Sequence, residues 1–166
     1  MRQPETWLRG PLKGVADELQ PVAHALIQAR EDLDLVLERV PAAEMWATPG
    51  GAASAGYHVR HLVGSLDRLM TYARGEALAD HQLAALRAEH LPEPGMTSGD
   101  LRASVQTAIE RALKQVRETD PATLGETREV GRGRIPATVR GILFHAAEHT
   151  SRHVGQVITT LKVVRG

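Results

Sequence analysis

Phe144–Gln156, FHAAEHTSRHVGQ, is the stretch on which the reading of this chain turns, because three of the eight histidines, His145, His149 and His153, recur there at every fourth position. Four residues along an α-helix amount to one turn plus roughly 40°, with a rise of about 6 Å, so two imidazoles at that spacing can face one small ion. The apolar residues on either side keep the helical period. Val139, Ile142 and Ala146 come before, Val157 and Leu161 after, and His149 and His153 fall on their stripe. Histidine stands there where packing favours leucine, and a buried imidazole without partners costs about 1–3 kcal/mol for each unpaired group. A metal-binding helix explains the pair. Histidines satisfied by hydrogen bonds, or half exposed at a helix end, are the alternative.

Working upstream, TREVGRGRIP places Arg128, Arg132 and Arg134 in a glycine-containing loop, and Pro136 suits the first turn of the last helix. A third long helix is expected from a cap around Thr97–Asp100, with Leu101, Val105, Ala108, Ala112 and Val116 on its inner face, to Asp120 and Pro121. LPEPG separates it from a short connecting helix over Ala79–Glu89. Ser54 caps a second helix whose apolar positions run from Val59 through Leu62, Leu66 and Leu69 to Ala73, with Gly75 ending it. A first helix begins near Pro21, follows Val22, Leu26, Ala29, Leu33, Val36 and Val40, and closes at Pro41. Residues Met1–Leu19 read as an irregular packed arm anchored by Trp7 and Leu8. Four amphipathic helices with little β-type alternation predict an all-α, antiparallel four-helix bundle, with a long second crossover connection that contains a short extra helix.

Composition bounds what such a bundle can do. The 166 residues fit a single domain able to bury roughly 70% of the surface its unfolded form exposes. Twenty basic and twenty acidic residues cancel, with no long Lys/Arg run, which argues against nucleic acid as a partner. The absence of cysteine excludes disulfides, thiolate zinc sites and a cysteine nucleophile, leaving His, Asp and Glu as metal ligands. MRQPETWLRGPLKG carries no apolar segment of signal-peptide type and no stretch approaches the ~20 apolar residues of a membrane span, so no membrane association and a cytoplasmic location are expected.

His145 and His153 are about 12 Å apart along the helix axis and cannot share an ion. His149 and His153 can, and a third ligand must come from another helix; three ligands with one exchangeable position is the catalytic zinc pattern. The second helix offers His58 and His61. Angular counting puts His58 nearer the stripe, but the apolar surface is wide and the count leaves both open. His145 either supports a ligand or borders the stripe, and Gln156 could orient a ligand or bind substrate. Gly155 would allow close helix approach. Tyr72 and Arg68 follow at helical spacing and could line the same cavity, with packing and a surface ion pair as the alternative. Arg128, Arg132 and Arg134 could bind a carboxylate or phosphate at the bundle mouth, or form a solvated loop. His24, His81 and His90 are expected at the surface. HAAEH, His145–His149, also matches the H-x-x-E-H of inverted zinc proteases, but only Thr150–Gly166 follows it, too little for the further acidic ligand and larger domain of such enzymes. Glu148 is instead expected to face a neighbouring helix or solvent.

GYHVRHLVGSLDRL, Gly56–Leu69, followed by FHAAEHTSRHVGQV resembles the DinB/YfiT-like superfamily of metal-dependent four-helix-bundle proteins. The resemblance covers most of the chain. It includes Trp46 in EMWATPGG ahead of the second helix, a histidine followed by leucine early in that helix, and the last-helix H-x-x-x-H followed by Gly155 and Gln156. It implies a three-histidine metal site at His61, His149 and His153, choosing His61 over His58. Arg152 departs from the pattern, since many members carry a second histidine there.

The resemblance further implies a divalent metal, zinc or nickel, a small-molecule substrate and a homodimer. Relatives include thiol-dependent S-transferases, an isomerase that uses a low-molecular-weight thiol, and hydrolases. The expected function is a metal-dependent enzyme activating a water or such a thiol, of transferase or hydrolase type. The alternatives are a non-catalytic metal- or ligand-binding stress-response bundle, for which the lack of a general base on the histidine stripe speaks, and a metal-free structural dimer.

Overall fold

The structure is a computed structural model that describes residues 3–93 and 95–166. These residues form six α-helices and one β-hairpin: α1 (Gln20–Val36), α2 (Ala42–Met45), α3 (Ala55–Ala73), α4 (Asp80–Ala88), α5 (Ser98–Glu118), β1 (Thr127–Val130), β2 (Ile135–Thr138) and α6 (Val139–Arg165). The chain is all-α in character, and no helix among the described residues is long and apolar enough to cross a membrane.

The four long helices form a closed circuit in which α6 packs on α1 and α3, and α5 packs on the same two from the other side. Their apolar stripes meet in a core built from leucine, valine and alanine, with Leu26, Leu33, Leu62, Leu66, Ile109 and Leu143 all at most 1% exposed. Aromatic residues contribute little, and the one phenylalanine, Phe144, points outward at 62% exposure. Two helix starts follow from capping chemistry. The Ser54 hydroxyl accepts from the Tyr57 amide, and Thr97 and Asp100 form a reciprocal box at the start of α5.

Several expectations need correction. The segment before the last helix is not a loop but a hairpin, in which Pro136 pairs with Glu129 and Val130 with Ile135. A two-stranded ribbon has only edges, so a proline costs it no interior ladder bond. The helix that Pro136 was expected to open starts at Val139, capped by the Thr138 hydroxyl. At the front of the bundle, α1 ends at Val36 rather than at Pro41. Val40 is buried from the turn that follows, where Arg39 takes a left-handed conformation that no helix continues. The short α2 was not foreseen. The N-terminal arm contains 3-10 turns at Thr6–Arg9 and Asp17–Leu19. Trp7 and Leu8 do not anchor it, being 64% and 59% exposed. Val15, Leu19 and Thr6 do so instead, and the Thr6 hydroxyl donates to the His24 carbonyl at 2.7 Å. That arm covers His24, which is buried rather than at the surface; His81 and His90 are exposed.

Candidate metal centre

Helices α3 and α6 run antiparallel against each other, so the early turns of α3 meet the middle of α6. His58 lies beside His153, and Ser65, two turns further along α3, lies beside His149. The antiparallel pairing brings His61, His149 and His153 together. Each offers a ring nitrogen, and these three atoms all lie within 4.8 Å of one another. The ring centroids are 4.5 Å apart for His149 and His153, 4.6 Å for His61 and His153, and 5.1 Å for His61 and His149.

The opposite edge of every ring is engaged. His61 Nδ1 lies 2.7 Å from Glu89 Oε1, and because a carboxylate only accepts, the ring carries its proton on Nδ1 and leaves Nε2 with a lone pair. Ser65 Oγ lies 3.2 Å from His149 Nδ1 and spends its own proton on the Leu62 carbonyl, so His149 also donates from Nδ1. His153 Nδ1 meets His58 Nδ1 at 3.1 Å, and donation from His153 frees its Nε2 in the same way. With Nδ1 of each ring engaged, Nε2 is the nitrogen left for an ion, as in metal centres whose ligand histidines are held by outer partners.

Electrostatics favours the same protonation state. Burial, reinforced by the neighbouring His61, His149 and His58, pushes the His153 imidazole down to about 3. His149 is lowered by burial and then by His61, His145 and Arg152, with Glu148 opposing. His58 is lowered by burial and by His61. These three rings are neutral at pH 7, the form in which histidine binds metal. With no thiolate in the chain, the donor set is imidazole alone, which suits several divalent transition metals. The residues fit a divalent ion.

The other candidate residues separate into distinct places. His58 supports His153 from the rear and stands outside the three-histidine group. His145 is half exposed at the rim, 3.4 Å from Glu148, with its ring 5.3 Å from that of His149. Glu148 turns to Arg152 and His145 rather than to the cluster. Gln156 is exposed. Gly155 allows no close helix approach, contrary to expectation, since a Cβ there would meet nothing within 4 Å. Tyr72, Arg128, Arg132 and Arg134 line a different cleft of about 790 Å³, between the end of α3 and the hairpin, which none of the three histidines lines. Arg68 is neither a surface residue nor a neighbour of that cleft; it is buried against Glu89.

Sequence reasoning missed Ser65, Glu89 and Tyr57. Ser65 had a signal, because it follows His61 by one helical step and so shares its face. Tyr57 stacks on His61 with ring centroids 5.5 Å apart and planes 17° apart, and it too lies one step away on α3. Glu89 had none. It reaches His61 across 28 residues from the end of α4, and no local period connects the two.

The family model of the DinB superfamily matches residues 25–157, and the chain belongs to that superfamily. No curated protein matches. Among solved structures, a conserved protein from Enterococcus faecalis is similar, with a TM-score of 0.69 and 17% identity over 89% of this chain and 97% of that one. At that identity the likeness concerns the fold.

Proposed function

We propose that this DinB-superfamily chain is a metal-dependent enzyme in which His61, His149 and His153 hold a zinc or nickel ion and act on a small-molecule substrate, by a transferase or hydrolase type of reaction. The observation that carries the reading is the set of three ring nitrogens, one from each histidine, within 4.8 Å of one another, on rings whose Nδ1 atoms meet Glu89, Ser65 and His58. We read α1, α3, α5 and α6 as an antiparallel four-helix bundle with α4 in its long second crossover, a frame in which facing helices project ligands inward.

When bound, a divalent ion at three imidazoles supplies Lewis-acid activation of a water or a low-molecular-weight thiol in its remaining position. The chain's own groups do the rest. Glu89, Ser65 and His58 hold the three rings in their tautomers, and Tyr57 covers one side of His61. His145 at the rim, beside His149, is the titratable side chain placed to move a proton, since Glu89 is occupied by His61 and Arg68. The reading includes a homodimer, for which exposed Phe144, Ile135 and Val163 supply apolar contact area. It also places the protein in the cytoplasm.

A non-catalytic metal-binding bundle is the second reading, favoured by the same engagement of Glu89, whose carboxylate is taken up by His61 and Arg68 and is not free to serve as a base. Elemental analysis of untagged protein beside a His149→Ala/His153→Ala double variant tests the common premise. About one zinc or nickel per chain, lost in the variant, is the expected result. Absence of metal together with failure to take up added zinc or nickel would remove both metal readings, and turnover of electrophiles with thiols then separates enzyme from binding module.

A further inference from the structure

Helix α4 is attached to the body in an unusual way. It packs on α3, yet Gln82 is its one buried residue, and Leu86 is 41% exposed. Polar anchors replace the missing apolar contact. Near its start, Gln82 Nε2 donates to Asp67 Oδ2 at 2.6 Å and to Thr71 Oγ1 at 2.9 Å, while its Oε1 accepts from the Ala79 amide at 2.9 Å. Just past its end stands Glu89, 8% exposed, with Oε1 at 2.7 Å from His61 Nδ1 and Oε2 at 3.4 Å from Arg68 Nη1. Arg60 then donates to the Leu91 carbonyl and pairs with Glu93 at 3.6 Å.

A glycine makes room for the second anchor. A Cβ on Gly64 would stand 2.8 Å from Arg68 Nη1 and 3.3 Å from Glu89 Oε2. Glycine in a helix interior costs about 1 kcal/mol relative to alanine, so α3 gives up stability at the one place where the Arg68–Glu89 pair is seated. The carboxylate therefore sits in a made space, shared between a buried guanidinium and one of the three histidines.

We propose that Glu89 is a positioning residue of the metal centre, and that through it the docking of α4 is coupled to metal loading. The inference rests on the metal reading above. Glu89 fixes the Nδ1–H tautomer of His61 and presents Nε2 to the ion; a docked α4 thus raises metal affinity. Linkage makes the effect reciprocal, so a bound ion holds α4 down by the same factor. An element with little apolar burial opens at low free-energy cost, and α4 is such an element.

The test uses the full chain, freed of metal, and titrates zinc and nickel in competition with a chromophoric chelator for the wild type and Glu89→Gln. Loss of an outer partner typically weakens metal binding 10- to 100-fold, and at least about tenfold is expected here. Hydrogen exchange over residues 80–93, measured with and without the ion, should slow on loading in the wild type, and less so in the variant. Imidazole ¹⁵N shifts of metal-free protein supply a readout that simple loosening of the fold would not move: His61 should be the Nδ1–H tautomer in the wild type and lose that preference in Glu89→Gln. Unchanged affinity in a folded variant, or exchange over 80–93 that is indifferent to metal in the wild type, would overturn the coupling while leaving the metal site standing. A wild type that binds neither ion would remove the site and the coupling together. Should the variant fail to fold, the wild-type exchange and ¹⁵N measurements still decide.

Discussion

Two glycines in long helices should respond to the same substitution with opposite signs. Gly56 lies in the first turn of α3, and a Cβ built there would come 2.5 Å from Trp46 Cζ3 and 2.7 Å from both Cε3 and Cη2. Contacts that short do not occur, so Gly56→Ala must displace the indole, which packs against the core. Overpacking of this kind costs typically about 2 kcal/mol. Alanine recovers at most about 1 kcal/mol of helix propensity, which leaves a net loss of about 1 kcal/mol. Gly155 in α6 has nothing within 4 Å of its Cβ position, so Gly155→Ala keeps the whole propensity gain of about 1 kcal/mol. The two variants should therefore differ by about 2 kcal/mol, roughly 4–8 °C in Tm for a chain of this size. Differential scanning calorimetry on metal-free protein measures the difference. Fluorescence adds a local readout because the other tryptophan, Trp7, is already 64% exposed, so a red shift on Gly56→Ala reports Trp46. A rise in Tm for Gly56→Ala with unshifted emission would refute the tight Trp46–α3 contact, and a fall for Gly155→Ala would refute the open face of α6.

The lowered histidines make metal-free stability depend on pH. Below about 6.5 the unfolded chain takes up protons on His58, His149 and His153 that the folded state resists, so stability should fall as pH drops from 6.5 toward the His153 value of about 3. Urea midpoints across pH 4–8 should slope downward toward acid, and less steeply for His153→Leu; a parallel slope would contradict the depressed His153. At the start of α5, the Thr97 hydroxyl accepts from the Asp100 amide at 3.1 Å and Asp100 Oδ2 accepts from the Thr97 amide at 2.9 Å. Thr97→Ala should accordingly cost about 1 kcal/mol in chemical denaturation, with metal binding unchanged.

The long helices were readable because each keeps one apolar period over many turns, so Leu101, Val105 and Val116, or Val139, Ile142 and Leu161, identify a buried face without knowledge of what it meets. Ser54 and Thr97 were readable as caps for the same local reason. What escaped depends on contacts between distant segments or on turn chemistry. The hairpin joins strands of only four residues, too short for alternation to register, and its turn relies on left-handed Gly131 and Arg134. His24 looked like a surface residue because its cover comes from the arm. At the metal centre, spacing within α6 selected His149 and His153, but the choice between His58 and His61 depended on resemblance. Helical rotation alone does not say which ring reaches across and which stands behind.

The antiparallel contact of α3 and α6 joins residues far apart in the chain, with 95 positions separating His58 from His153. Closing so long a loop carries an entropic penalty that grows only slowly with length, but it has to be met before any contact across it is rewarded. The three-histidine cluster therefore exists only once α6 has settled on α3, and a nascent chain that has emerged only as far as α5 presents no such cluster to passing cations. In a protein without cysteine, an ion held across that contact would act as a reversible clasp between early and late parts of the polypeptide, tying the order of assembly to the moment at which the site can first be filled.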